Sequence, residues 1–360
     1  MFRFLLPLML LAGCATPDFA APPLDGAVVQ AEREAAIREA MDTALERRAR
    51  VYDLSWPVLT ESVELCPDVR PSIGVVLADR KMLARLAGGL REEDLAEIGV
   101  PDHLIIAHTH AGSPAALKGV MSGARLLKVQ GEEVEDPEAA AKKIREQTEE
   151  EKPVTLTISF ADSQQEVEIT PVDRCDYAVK ISTSQAINAH AYSGDIVILT
   201  GAIRALDDES LRYLIAHEAA HLIAGHRPKY VRNSIVSGAV LVGPFIYGAG
   251  MLADRMAGFG DEPPDIAYTT RAVRFLLPWA EEFEAEADYL GLYLFARAGG
   301  DLEQARGIFD VFSRESPSSI YTRATHPLTP ERLSRLLASV REIKHKQRSG
   351  EELLPNRVSK

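Results

Sequence analysis

Five residues, His217-Glu218-Ala219-Ala220-His221, constrain this chain more than any other segment. On a helix, residues four apart lie on one face, one turn above the other. The text leading into them reads as such a helix. Asp207 supplies an N-cap, Asp208 and Glu209 fill the first turn, and Leu211, Leu214, Ile215 and Leu222 form an apolar stripe. The two imidazoles then converge, which is the arrangement that holds one zinc ion, with Glu218 beside it as a general base. Two buried core histidines would explain the spacing but leave the intervening Glu without a reason.

The chain opens Met1-Phe2-Arg3, runs apolar through residues 4–12 and reaches Leu11-Ala12-Gly13-Cys14. A basic start, a short apolar run and small residues before a cysteine read as a secretion signal, too short to span a bilayer. The Leu-Ala-Gly-Cys run resembles a bacterial lipobox. That resemblance implies a signal peptide over 1–13, lipidation of Cys14, and a Pro/Ala tether over 14–24. Several acyl chains on one residue anchor stably where one is marginal. Ala15, where Asp would retain the protein elsewhere, implies by the same resemblance the periplasmic side of the outer membrane. An exported chain meets an oxidising compartment, so the two remaining cysteines, Cys66 and Cys175, suggest a disulfide clamping the ends of the region between them.

With 360 residues and 46% hydrophobic content the chain can bury sizeable cores, and its length suggests two domains beyond the signal. A net charge of −13, with no basic cluster interleaved with aromatics, argues against a nucleic-acid partner.

Residues 27–51 read as a helix with alternating acids and bases and one apolar face of Val28, Ile37, Met41 and Leu45. From residue 71 to 172 the texture changes to short strands, at 73–77, 104–108, 126–129, 154–158 and 166–169, with helices at 114–117 and 137–148. The run Ala111-Gly112-Ser113-Pro114-Ala115-Ala116-Leu117-Lys118-Gly119-Val120, followed by Gly123-Ala124-Arg125-Leu126-Leu127-Lys128-Val129-Gln130-Gly131-Glu132, resembles a bacterial PDZ domain, with Ala124 where Asp is common. That implies a module able to bind a protein partner by strand addition, although no clear carboxylate-binding loop is present and a structural spacer is the other reading. Two strands, 186–192 and 195–201, flank a Ser193-Gly194 turn before the histidine helix. Residues 233–253 carry no charge before Asp254 and contain Gly238, Gly243, Pro244, Gly248 and Gly250. They fit a buried or interfacial pair of short helices, a membrane-dipping segment or a span.

Two histidines need a third protein ligand. His226 lies five beyond His221 and reads better as a basic cap favourable to the helix dipole. Glu284 and Asp288, one turn apart in Trp279-Ala280-Glu281-Glu282-Phe283-Glu284-Ala285-Glu286-Ala287-Asp288, offer one carboxylate for the metal and one to orient a ligating histidine. Glu281, Glu282 and Glu286 fit a solvated face. These blocks, with Asn188-Ala189-His190-Ala191, Gly291-Leu292, Thr325-His326-Pro327 and Arg332, resemble the Ste/HtpX/Oma-type zinc metallopeptidases (gluzincins), most closely the periplasmic BepA/LoiP-like members. The resemblance implies that His217, His221 and Glu284 bind one Zn2+ per chain, that Glu218 activates water, and that Asp288 supports a ligand. It further implies that Asn188, Ala189 and His190 form the edge receiving substrate backbone. His326 and Arg332 would stabilise transition-state charge or restrain the resting site.

The expected fold is α+β: a mainly helical zincin-type peptidase domain with a small sheet, built from 25–70 and 173–345, an inserted PDZ-like β-rich domain at 71–172, and a charged mobile tail at 346–360. The expected activity is zinc-dependent endopeptidase action on unfolded or damaged cell-envelope polypeptides, with the membrane reached through Cys14. The alternatives are a client-binding, chaperone-like lipoprotein with little proteolysis, and an integral membrane peptidase using residues 233–253.

Overall fold

The computed structural model describes residues 22–161, 163–229, 232, 280–315 and 329–357. Helix α1 (Gly26–Thr60) is capped by Asp25, whose carboxylate accepts from the Ala27 amide. Its charged face is more than a solvated one. Arg33 pairs with Asp94 at 2.6 Å and Glu97 at 3.1 Å, and Arg38 donates to the Ile98 carbonyl. Ile37 is buried, whereas Val28 of the expected apolar face is exposed.

β1 (Val69–Ser72) and β2 (Val75–Ala78) are divided by Gly74, at φ +81°, where an added Cβ would sit 2.2 Å from Ser113 Cβ. A left-handed turn in so close a space admits only glycine, so the strand expected at 73–77 begins only at Val75. α2 (Arg80–Leu86) and α3 (Glu92–Glu97), which the sequence reading omits, pack Leu83, Ala84 and Leu95 against Met41 and Leu45 of α1. β3 (Ile105–Thr109), α4 (Pro114–Leu117), β4 (Arg125–Val129), β5 (Glu132–Glu133), α5 (Pro137–Glu149), β6 (Val154–Phe160) and β7 (Ser163–Ile169) follow. The strands form one sheet in the order β2-β3-β4-β6-β7, with β5 on β4. Ile73, Ile106, Leu126, Leu156, Ile158 and Ile169 fill a core of their own beneath it. β8 (Val172–Cys175) returns antiparallel to β1, with Val69 opposite Cys175, and a disulfide joins Cys66 to Cys175 across a Cα separation of 5.6 Å. Entry to and exit from the sheet region are therefore fastened at one neck.

β9 (Ala178–Ser182), β10 (Ala189–Tyr192) and β11 (Asp195–Leu199) form a second sheet in the order β10-β11-β9. β10 and β11 are joined by Ser193 and Gly194, both at positive φ. α6 (Thr200–Ala205) starts where the sequence suggests strand, and an added Cβ on Gly201 would meet the Gln185 carbonyl at 2.1 Å. Then come α7 (Asp208–Ile223), α8 (Ala280–Arg297), α9 (Gly307–Glu315) and α10 (Pro330–Ser349). The end of α1 joins them in a second core, with Val51, Leu54 and Leu59 meeting Ile198, Leu214, Leu292, Phe295 and Leu336. The architecture is α+β. Residues 350–357 do not trail away as a mobile tail. The Asn356 amide donates to Tyr289 Oη at 2.9 Å, and Lys346 Nζ donates to the Leu354 carbonyl at 2.7 Å. Among the described residues no helix is long and apolar enough to cross a membrane. Residues 233–253, Cys14 and His326 lie outside the described residues.

The disulfide closes a loop with a sequence separation of 109. Replacing Cys66 and Cys175 by serine should lower unfolding stability by about 2–5 kcal/mol, read as a reduced denaturant midpoint. A thiol titration that found two reactive groups in the native, non-reduced Cys14→Ser protein would contradict the link.

Candidate metal centre

Asp207 caps α7 as expected, accepting from the Ser210 amide at 2.8 Å. His217 and Glu218 are buried, and His221 is partly buried. α8 crosses α7 at Gly291, where an added Cβ would lie 3.1 Å from His217 Cα. That close approach brings Glu284 and Asp288, both buried, onto the histidines.

The Nε2 atoms of His217 and His221 face each other at 3.1 Å. Glu284 Oε2 lies 3.6 Å from His217 Nε2, and Glu284 Oε1 lies 3.6 Å from His221 Nε2. These three residues form a group able to hold a metal ion. For a tetrahedral ion bound at 2.0–2.1 Å, the ligand atoms are separated by about 3.3 Å, so the triangle has the right size.

The outer hydrogen bonds point both Nε2 lone pairs inward. His217 Nδ1 lies 3.1 Å from Asp288 Oδ1 and donates to it. His221 Nδ1 lies 2.7 Å from His226 Nδ1, and His226 Nε2 lies 3.0 Å from Glu286 Oε2. A carboxylate can only accept, so His226 donates through Nε2 and accepts through Nδ1 from His221. His226 thus orients a candidate ligand, which its reading as a helix cap missed, and Phe283 stacks on its ring at 4.7 Å. Burial holds the His226 imidazole pKa below its ordinary value, against the pull of Glu286. Glu286, expected on a solvated face, completes this chain and also pairs with Lys229 at 3.5 Å.

Asp288 is gripped from α10. Arg332 Nε and one terminal nitrogen donate to its two oxygens at 2.7 Å each, and the other terminal nitrogen lies 3.2 Å from Glu284 Oε2. Tyr213 Oη donates to Asp288 Oδ1 at 3.2 Å. Burial raises the Asp288 carboxyl, but Arg332 and His217 more than offset it and hold its pKa well below the carboxylate range. Burial also disfavours charge on His217, yet Asp288 and Glu284 push its pKa up to about 10. When the imidazoles are neutral, as a metal ligand requires, the buried carboxylates Glu218, Glu284 and Asp288 outnumber the one buried guanidinium, Arg332. A divalent cation balances the excess.

Arg332, expected near the reacting atoms, is committed to two carboxylates. Asn188, Ala189 and His190 are buried, with Ala189 and His190 at the start of β10, which among the described residues lies at the end of its sheet and packs against α7. Tyr213 is not among the residues expected at the site, and Gly291 is named in the Gly291-Leu292 block without its part in the helix crossing. Tyr213 sits one turn before His217, a spacing that places it on the same face.

Residues 164–340 match the model of peptidase family M48. Curated relatives point the same way. The mitochondrial metalloendopeptidase OMA1 of Arabidopsis thaliana is 26% identical over 180 residues, covering 49% of this chain and 34% of the relative. The OMA1 metalloendopeptidase of Danio rerio is 26% identical over 195 residues, covering 51% of this chain and 40% of the relative. The chain therefore spans about a third to two fifths of the length of these relatives. Together the matches support an M48 metallopeptidase domain here. The HtrA3 PDZ domain, solved with a phage-derived ligand, matches 29% of this chain and 88% of its own, at 17% identity and a TM-score of 0.22.

His226→Ala leaves the three candidate ligands in place but removes the partner of His221 Nδ1. Loss of such an outer partner should weaken metal affinity by about 10–100-fold, measured by competition with a chromophoric chelator. Unchanged affinity would show that the His226–Glu286 pair does not orient the ligand.

Proposed function

We propose that this chain is a zinc-dependent endopeptidase. The observation that carries the reading is the triangle of ligand atoms that His217 and His221 of α7 form with Glu284 of α8, with the buried Glu218 next to His217 in the chain. Two nitrogens and one oxygen at these separations suit zinc, with a position left for water. When bound, the ion supplies a polarised carbonyl and an acidified water.

The protein's own groups do the rest. Glu218 takes the water proton and delivers it to the leaving amine. Asp288 holds His217 in the tautomer with its Nε2 lone pair inward, and Arg332 with Tyr213 holds Asp288, so we assign Arg332 a positioning role. His326 is assigned, by resemblance alone, to transition-state charge. β10 lies at an edge of its sheet among the described residues, and Asn188, Ala189 and His190 there would pair with substrate backbone. Pairing through backbone reads few side chains, which favours extended, unfolded polypeptide. On this reading the substrates are damaged envelope proteins, the location is the periplasmic face of the outer membrane, and lipidated Cys14 is the anchor. The sheet region with its separate core and disulfide neck would serve as a PDZ-like module for clients or partners.

Glu218→Gln preserves size and hydrogen bonding but removes the base. Casein cleavage should fall by about 10²–10⁴-fold while zinc content stays at that of the unaltered protein, and a chelator should abolish the parent activity. Cleavage that survived the substitution would sink the mechanism. Rescue of a deletion strain by the inactive variant would favour the client-binding role.

A further inference from the structure

We propose that Asp53, His108 and His110 form a second site for a divalent transition-metal ion of the zinc class, and that this ion clamps α1 to the six-stranded sheet. The site is separate from the centre on α7 and α8 and does not depend on the peptidase reading.

The three residues come from two places. Asp53 lies on α1, and His108 and His110 flank Thr109 at the end of β3. Positions two apart on a strand project to the same side, so the pair is directed together at the helix. Each residue offers one ligand atom, and these atoms all lie within 4.8 Å of one another. His108 Nε2 is 2.8 Å from Asp53 Oδ1. The two imidazoles stand edge to face at 81°, with centroids 5.4 Å apart, close to the 82° and 4.7 Å of His217 and His221.

The outer hydrogen bonds of a metal site are also present. His110 Nδ1 lies 3.2 Å from the Tyr52 carbonyl, which can only accept, so Nδ1 carries the proton and Nε2 the lone pair. The Ala111 amide donates to Asp53 Oδ1 at 2.8 Å and fixes the carboxylate. Trp56 stacks on His110 at 5.0 Å, and Tyr52 lies within 5.7 Å of both rings, so the donors are walled by aromatics. A cavity of about 340 Å³, bordered by Tyr52, Leu86, Val76 and His108, opens on the His108 side of the group.

An ordinary Asp–His hydrogen bond accounts for Asp53 and His108. It does not account for a second imidazole in the same ligand range with its Nδ1 already tied to backbone. Two nitrogens and one oxygen favour zinc-like ions over calcium or magnesium, which take oxygen donors. On binding, the ring proton of neutral His108 is exchanged through solvent from Nε2 to Nδ1, so that the Nε2 lone pair meets the ion in place of the Asp53 hydrogen bond.

Cobalt(II) loading of chelator-stripped, purified full-length protein tests the site. Bound cobalt is counted after removal of excess ion, and circular dichroism checks each variant's fold. The unaltered protein should hold two ions per chain, and Asp53→Asn/His110→Gln should hold one. His217→Gln/His221→Gln, which leaves the proposed ligands intact, should also hold one. That ion should vanish when all four substitutions are combined. A His217→Gln/His221→Gln protein that bound none would overturn the proposal. So would a cobalt count unchanged by Asp53→Asn/His110→Gln. Failure of the peptidase reading would show separately, as casein cleavage that ignores Glu218→Gln.

Discussion

The closeness with which α8 crosses α7 governs everything at the candidate metal centre. Ordinary helix pairs keep their axes about 8–10 Å apart, depending on the side chains between them. Here Gly291 removes the side chain at the crossing, because any Cβ would press on His217. On α8, Glu284, Asp288 and Gly291 occupy one stripe at spacings of four and three. On α7, Tyr213, His217 and His221 occupy another at spacings of four. The two stripes meet along the contact, so each histidine finds a carboxylate without any loop having to place it. Ligands carried on packed helices hold their positions better than ligands on loops.

That contact buries charge, which is costly unless each charge is matched. Asp288 meets the condition through a forked Arg332, a Tyr213 hydroxyl and a His217 N–H. Arg332 comes from the first turn of α10, which is capped by Thr329 and docked on α8 by Tyr289 and Tyr293 donating to Glu342. Asp288 therefore joins α7, α8 and α10 at the centre. Because the folded-state pKa of Asp288 is depressed, this contribution is complete above the unfolded carboxyl value of about 3.9 and is lost as pH falls through and below it.

The parts of this arrangement legible in the sequence are those with a short period. The histidine pair, its Asp207 cap and the Glu284–Asp288 spacing all follow from residues four apart on a helix, and the structure brings them together. The parts that stayed hidden depend on long-range contact. Arg332 is 44 positions from Asp288, and nothing local says that its fork faces a carboxylate. His226 looked like a cap because the turn at Gly225, with φ +62°, that swings it back onto His221 cannot be inferred from spacing. α2 and α3 were hidden for another reason. They are short, and their burial comes from α1, a helix whose charge pattern looks solvated until Arg33 and Arg38 meet α3 and the residue that ends it.

α1 also links the two cores. Its last turns enter the core around α7 and α8, and its middle packs against α2 and α3 beside the six-stranded sheet. The sheet region leaves and rejoins the chain through the paired strands β1 and β8, stapled by Cys66 and Cys175. A neck of two strands alone would permit a swing about its own axis. A long helix packed on both sides opposes that swing, since any rotation must break either the Arg33 and Arg38 contacts or the Asp53–His108 hydrogen bond. The neck and the helix act as two separated points of attachment, and two such points fix an orientation that neither fixes alone. The groups along α1 that face the sheet region are therefore the ones through which its position can be coupled to α7, the helix that carries both histidines of the candidate centre.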